Sequence, residues 1–264
     1  MTLEWRLEDL IGYLETWSAT RRRMEDTEGN PIDLVRADGI VLKPAFDAAL
    51  AAWCQALAAA IDPSLVGIPE PVAAADGRWV VDGWTATRFV PGLVELADDP
   101  HTVVALDAVV TAALSSAASG LPPIPARSDR WARGVDAALG GPLPDLSTEA
   151  REVIRALQDR MADLPTRDRV VHGDLTGNTF QTHSGAPLVL DLSPYLAPQG
   201  FGAAVVVADH LLWRAGRAEL AALVAPDLLA RALMFRLIAE QLADAPRHGA
   251  RLDDYRRALE LLDR

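Results

Sequence analysis

Three oxygen-bearing side chains and one amine together meet the needs of phosphoryl transfer. The stretch Val170-Val171-His172-Gly173-Asp174-Leu175-Thr176-Gly177-Asn178 is followed by an apolar run, Leu188-Val189-Leu190, that ends in Asp191. Moving a phosphoryl group asks little covalent chemistry of a protein. It needs one carboxylate to orient the attacking hydroxyl and take its proton, hard oxygen ligands for magnesium, and a cation for the phosphates. Asp174 suits the first task, and Asn178 and Asp191 suit the second. Lys43, at the end of Ile40-Val41-Leu42, suits the third. It is the one lysine among 25 lysines and arginines. In a chain that uses arginine everywhere else, a surviving lysine marks a place where a compact point charge serves better than a planar guanidinium. His172 belongs to the same constellation, as the residue that packs and orients the loop rather than one that shuttles the proton.

These residues need strands and turns to bring them together. Leu3, Leu7, Leu10, Ile11 and Leu14 recur at helical spacing, a first helix ending near Trp17. Extended stretches are expected at 20–25, 32–37 and 40–43, punctuated by Gly29-Asn30-Pro31 and Asp38-Gly39. Phe46, Leu50, Trp53, Leu57 and Ile61 then predict a helix on one face. Two strands, 79–81 and 84–90, follow Asp76-Gly77 and Asp82-Gly83. This order describes a small antiparallel sheet packed on a helix.

Pro91-Gly92 closes that block and divides the chain into an N-terminal part, 1–91, and a mainly helical C-terminal part, 92–264, that carries the motif. The C-terminal part opens with a helix over 103–114. Ser128 can cap a second helix carrying Trp131 and Val135, and Ser147 a third through Val153, Ile154 and Leu157. Short strands at 169–171, 179–181 and 188–192 flank the motif, and three or four helices follow from Ala203. The class is α+β.

Composition narrows the partners. A length of 264 residues suits two small domains or one bilobal unit. With 50% hydrophobic and 23% charged residues the chain reads as a soluble globular enzyme. A net charge of -12, relieved only by Arg21-Arg22-Arg23, argues against nucleic-acid binding. No apolar run reaches the length of a membrane span, the longest lying at 203–208, so no membrane partner is expected. The first residues lack a signal-peptide layout, and the single cysteine excludes an internal disulfide, which together place the chain in a reducing cytoplasm. Cys54, beside Trp53, reads as a buried structural thiol. His183, His210 and His248 have no metal-ligand spacing. Asp227, Glu240, Asp244, Asp253, Asp254 and Glu260 read as solvated faces of amphipathic helices. No oligomeric state follows from these patterns.

The run His172-Gly173-Asp174-Leu175, with Gly177-Asn178 and the strand ending at Asp191, resembles the aminoglycoside phosphotransferase and choline kinase family. Ser193-Pro194-Tyr195 and the run from Ala203 to Asp209 further resemble an actinobacterial subgroup of it. The resemblance implies a bilobal protein kinase-like fold over the whole chain, with a small N-terminal sheet lobe and a helical C-terminal lobe. It implies ATP or GTP and Mg2+ as cofactors and a hydroxyl of a small molecule as acceptor. It gives Asp174 the role of catalytic base, Asn178 and Asp191 that of metal ligands, and Lys43 that of phosphate-binding lysine. Arg88, Phe89 and Val90, with Pro91-Gly92, resemble the hinge on which adenine stacks and hydrogen-bonds. Asp209 matches a helix carboxylate that braces the catalytic loop through its backbone amides.

Four departures from that pattern stand out. Asn178 lies four residues after Asp174, one closer than the family usually has it. Between Thr20 and Ile40 only Gly29 and Gly39 appear, so a phosphate-cradling glycine loop is missing. No acidic residue occurs from Ala48 to Ile61; Leu50 stands where a glutamate partner for Lys43 is expected, and Gln55 is the one long polar substitute. Asp191 runs into Leu192-Ser193-Pro194 rather than a glycine turn. These departures support a second reading, a catalytically degenerate kinase-like module that binds a ligand or partner. The retained Asp174, Asn178, Asp191 and Lys43 support the enzyme.

Overall fold

Gly39, at φ 78°, reverses the chain between β2 (Pro31–Ala37) and β3 (Ile40–Pro44), so that Ala37 pairs with Ile40. This turn belongs to a computed structural model that describes residues 22–25, 31–37, 39–162, 166–214, 216–243 and 251–262. The helix expected over 3–17 lies outside those residues. β1 (Arg22–Glu25) and β4 (Trp84–Arg88) complete an antiparallel sheet in the order β1-β2-β3-β4. Between β3 and β4 runs α1 (Ala48–Ala60), which Asp47 starts by accepting the Leu50 N–H at 2.9 Å. α1 buries Trp53 and Leu57.

The strand expected at 79–81 does not form. Val81 makes a single bridge to Trp84 across Asp82 and Gly83, at φ 49° and 81°. Two successive left-handed residues make a tight reversal, and nothing before Val81 continues the pairing. β4 also ends at Arg88, two residues before the expected limit.

Past Pro91-Gly92 the chain pairs elsewhere. β5 (Val94–Glu95) joins β7 (Thr179–Gln181) and β8 (Pro187–Val189) in a second small sheet. β6 (Arg169–His172) pairs with β9 (Pro194–Ala197) as a separate ribbon. The sequence did not signal β9, which is four residues long, starts on proline and lacks alternation. The helices are α2 (Pro100–Ala118), α3 (Arg130–Ala138), α4 (Thr148–Gln158), α5 (Phe201–Trp213), α6 (Pro226–Gln241) and α7 (Leu252–Leu261), with a short 3-10 turn at Ala218–Leu223. Ser147 caps α4 as expected, but α3 is capped by Asp129 rather than Ser128, through the Ala132 N–H at 3.0 Å.

α5 and α6 are the axis of the core: eleven residues of α5 and twelve of α6 are buried. α5, apolar on nearly every face, is held inside the protein as such helices are, and α6 joins it there although it buries Arg231, Arg236 and Glu240. α2, contrary to the sequence expectation, is long and apolar enough to cross a membrane by length and composition. It packs here against β6 and α5, burying Val103, Val110, Ala113 and Leu114 with Val170 and Val206.

Contact between α2, α5 and the end of β6 depends on Gly202. A β-carbon there would stand 2.2 Å from Asp107 Oδ1 and 2.8 Å from the His172 carbonyl oxygen. Asp107, 2% exposed, accepts the Ala203 backbone N–H. It thereby supplies the cap that Gly200, with no side chain, cannot give α5. Burial pushes the Asp107 carboxyl up to about 6, against hydrogen bonds from Ala203 and Thr111 that lower it. A carboxyl held above its unfolded value costs stability once the unfolded chain ionises, fully so above the folded value. Asp107→Asn keeps the accepting oxygen and removes the charge. Its stability relative to the parent, from urea unfolding, should therefore rise between about pH 4 and pH 7. A difference that does not change with pH would show that Asp107 titrates normally.

Candidate active site

The centre of the site is an imidazole with no exposure to solvent. His172 ends β6, and its Nδ1 accepts the Asp174 backbone N–H at 3.1 Å. Nδ1 therefore carries no proton, and Nε2–H donates to the Asp191 carbonyl at 3.1 Å. Burial holds this imidazole below its usual range, against the pull of Asp174 and Asp191. A neutral ring bonded at both nitrogens has no free position for proton transfer; it fixes the Asp174 loop to the Asp191 strand. Gly173 lets the loop pass the Tyr195 ring, since a β-carbon there would fall 2.5 Å from two ring carbons.

The short loop folds back onto its own aspartate. Asn178 Nδ2 donates to the Asp174 carbonyl at 2.8 Å and to Asp174 Oδ2 at 3.2 Å. Both bonds use the amide nitrogen, so the amide oxygen keeps its lone pairs for a cation. The Leu190 N–H donates to the Asn178 carbonyl at 2.8 Å, which sets the run toward Asp191 beside the loop. Asp191 has φ 48°, a left-handed conformation that aspartate tolerates better than most residues. That turn does without the glycine whose absence marked the sequence.

Lys43 comes from the other sheet. Paired with Thr85 in the β3–β4 ladder, it reaches across and forms an ion pair with Asp191 Oδ1. α1 offers it nothing acidic, and the Gln55 side-chain oxygen is buried with no hydrogen-bond partner among the described residues. Asp191 takes the place of the missing helix glutamate as counter-ion. Side-chain exposures of 38% and 50% leave the pair in high dielectric, where such contacts are weak and open readily.

The residue that sequence reasoning missed is Arg236. Its Nε and Nη2 donate to the two carboxylate oxygens of Asp209, both at 2.7 Å, and Nη2 also donates to Asp174 Oδ1 at 2.9 Å. Asp209 therefore braces the loop through a shared guanidinium, not through backbone amides as expected. Burial works against the charge of Arg236, but Asp209 and Asp174 outweigh it and hold the group well above its ordinary value. An arginine inside the apolar run from Leu228 to Ile238 was the available signal. The same helix overturns another expectation: Glu240 is 7% exposed and accepts the Tyr255 hydroxyl at 3.0 Å, rather than facing solvent.

The residues expected to form a hinge lie further off. Arg88 pairs with Ile40, three residues along the ladder from Lys43, about 10 Å at strand spacing. Its side chain turns to Glu70 at 3.7 Å, and the Phe89 N–H is taken by the Gly39 carbonyl at 2.8 Å. Val90 is half-buried in the irregular stretch that follows. Cys54 contacts the Leu192 carbonyl at 3.7 Å, and burial pushes its thiol up to about 12, as a structural thiol requires.

Among known proteins, no family model and no curated protein matches the chain. Solved structures do. Choline kinase LicA from Streptococcus pneumoniae superposes with a TM-score of 0.56 at 9% identity, over 97% of this chain and 99% of that one. LicA in complex with AMP gives 0.52 at 10% identity, over 97% and 96%. A thermostable mutant of aminoglycoside phosphotransferase APH(4)-Ia, in ternary complex with AMP-PNP and hygromycin B, gives 0.50 at 15%, over 97% and 96%. The chain has the kinase-like α+β fold of these structures.

Two of the site's ion pairs should differ sharply in urea unfolding. Asp209→Ala leaves a buried guanidinium short of a partner and should cost about 3 kcal/mol. Lys43→Met breaks an exposed pair and should change stability by no more than about 1 kcal/mol. Equal costs would show that burial does not separate them.

Proposed function

We propose that the chain is a phosphotransferase that uses ATP or GTP with magnesium and acts on a hydroxyl of a small molecule. The observation that carries this reading is the meeting of Lys43, Asp174, Asn178 and Asp191, drawn from two sheets and one loop, around the buried His172. The fold's solved relatives add weight: LicA is a choline kinase seen with AMP, and APH(4)-Ia was seen with AMP-PNP and hygromycin B.

Asp174 orients the acceptor hydroxyl and takes its proton. Arg236 and Asn178 each hold one of its oxygens, which fixes the carboxylate plane and leaves lone pairs for the substrate. The donor set fits magnesium, because the Asp191 carboxylate and the Asn178 amide oxygen are hard oxygen ligands. When bound, the magnesium nucleotide supplies the phosphoryl group and neutralises charge that builds on its oxygens. Lys43 holds the phosphates, leaving Asp191 free to bind the metal. A lysine whose partner is a weak, half-exposed pair makes that exchange at little cost.

One observation favours the second reading, a kinase-like module that binds without turnover. Nothing acidic on α1 holds Lys43 toward the phosphates, so its position is less prepared than the positions of Asp174 and Asn178.

Thermal unfolding with millimolar ATP or GTP, with and without magnesium, decides between these. The enzyme should show a magnesium-dependent rise in Tm that Asp191→Asn abolishes. Asp174→Asn should keep the rise but lose slow nucleotide hydrolysis by at least about 100-fold. No rise with either nucleotide would sink the proposal. A rise with hydrolysis unchanged in Asp174→Asn would support the binding module.

A further inference from the structure

The guanidinium of Arg236 lies in a box of aromatic faces. Its central carbon is 5.3 Å from the Trp131 ring centroid, 5.4 Å from that of Trp213 and 4.7 Å from that of Phe235. Trp213 follows Asp209 by one helical turn on α5, so ring and carboxylate share a face. Asp174 closes the side toward the reacting hydroxyl. Aromatic faces combined with carboxylates are the general means of binding an organic cation, including quaternary ammonium groups. Here the box is already full, and its occupant is part of the chain.

We propose that Arg236 is a tethered cation filling the organic-cation site beside Asp174, so that the acceptor carries no positive charge next to its reacting hydroxyl. The inference rests on the phosphotransferase reading for the word acceptor, but not for the site itself. An incoming cation would meet a guanidinium already paired with both carboxylates that flank the box. Asp174 and Asp209 are held by Arg236, Asp129 by Arg127 at 2.8 Å, and one oxygen of Glu240 by Tyr255. Two further guanidiniums crowd the same region, with Arg127 at 4.8 Å over the Tyr195 ring and Arg130 at 4.3 Å over the Trp131 ring. Like charges set side by side in a part-buried site reject the wrong ligand, as specificity by repulsion requires. The negative net charge of the chain, which on its own would welcome a cationic acceptor, is overruled locally.

The test uses choline as the probe, without nucleotide, and reads quenching of tryptophan fluorescence, because two tryptophans line the box. The parent protein should show no saturable quenching up to about 10 mM choline. Arg236→Ala empties the box between two carboxylates and should bind choline at least about tenfold more tightly than the parent. Arg236→Lys keeps a cation in place and should gain nothing. If Arg236→Ala loses its near-UV circular dichroism, millimolar methylguanidinium should restore it by refilling the box. Saturable choline binding by the parent, no gain in a folded Arg236→Ala, or no rescue of an unfolded one would each overturn the proposal. Failure to bind nucleotide would count against the phosphotransferase reading alone, since no arm of this experiment contains nucleotide.

Discussion

A guanidinium buried between two carboxylates is the interaction on which the rest of the site depends. Taking Arg236 and Asp209 out of water costs several kcal/mol per ion, and only close, well-aligned contacts offset it. The structure meets that condition with two 2.7 Å bonds from Arg236 to Asp209 and one of 2.9 Å to Asp174. Asp209 alone could neutralise the arginine. That Nη2 is shared with Asp174 couples a guanidinium only 2% exposed to a carboxylate that is a quarter exposed. Position is transmitted from the α5–α6 core to the loop by a rigid, planar group, which suits a side chain whose orientation matters more than its basicity.

The second coupling runs through His172. It joins the Asp174 backbone to the Asp191 carbonyl, while Gly202 allows α5 and the Asp107 carboxylate to close on the His172 carbonyl from behind. The loop from Gly173 to Asn178 is therefore held from three sides: by the α6 arginine, by the β6 imidazole, and by Asn178 folding back from the short turn. The Lys43 side is held differently. Backbone hydrogen bonds between Gly67 and the strand leading to Asp191 fix the frame, but the Lys43 side chain itself is held by the ion pair with Asp191, partly exposed and worth little.

How much of this was legible in the sequence follows from the range of each interaction. Asp174, Asn178, Asp191 and Lys43 could be singled out because their chemistry is carried by residue type and by short spacing around a strand-loop-strand unit. The small antiparallel sheet and the Ser147 cap were legible because turn and cap signals are local, although the strand expected at 79–81 does not form. β9 was not, since its four residues become a strand only by pairing with β6, as His172 with Pro194 and Arg169 with Ala197. Arg236 and Glu240 were not, because whether a charge in a helix is solvated or buried depends on which helices cover it. That α1 carries no acidic residue is plain from its sequence. That Asp191 takes over the counter-charge requires the two sheets to be seen together.

For the phosphotransferase proposed above, the contrast between a tightly held Asp174 and a loosely held Lys43 has a physical rationale. Phosphates carry their own negative charge, so a lysine that meets them needs no permanent partner; a weak one that keeps it solvated and nearby is enough. A hydroxyl acceptor brings no such charge, and the group that orients it must be prepared in advance by the protein. Asp174 is prepared in that way, with one oxygen on Arg236 and the other on Asn178. An α1 without acidic residues and an α6 with a buried arginine are therefore compatible within the proposed phosphotransferase. On that reading, order is kept at the partner that cannot supply its own charge, and relaxed at the one that can.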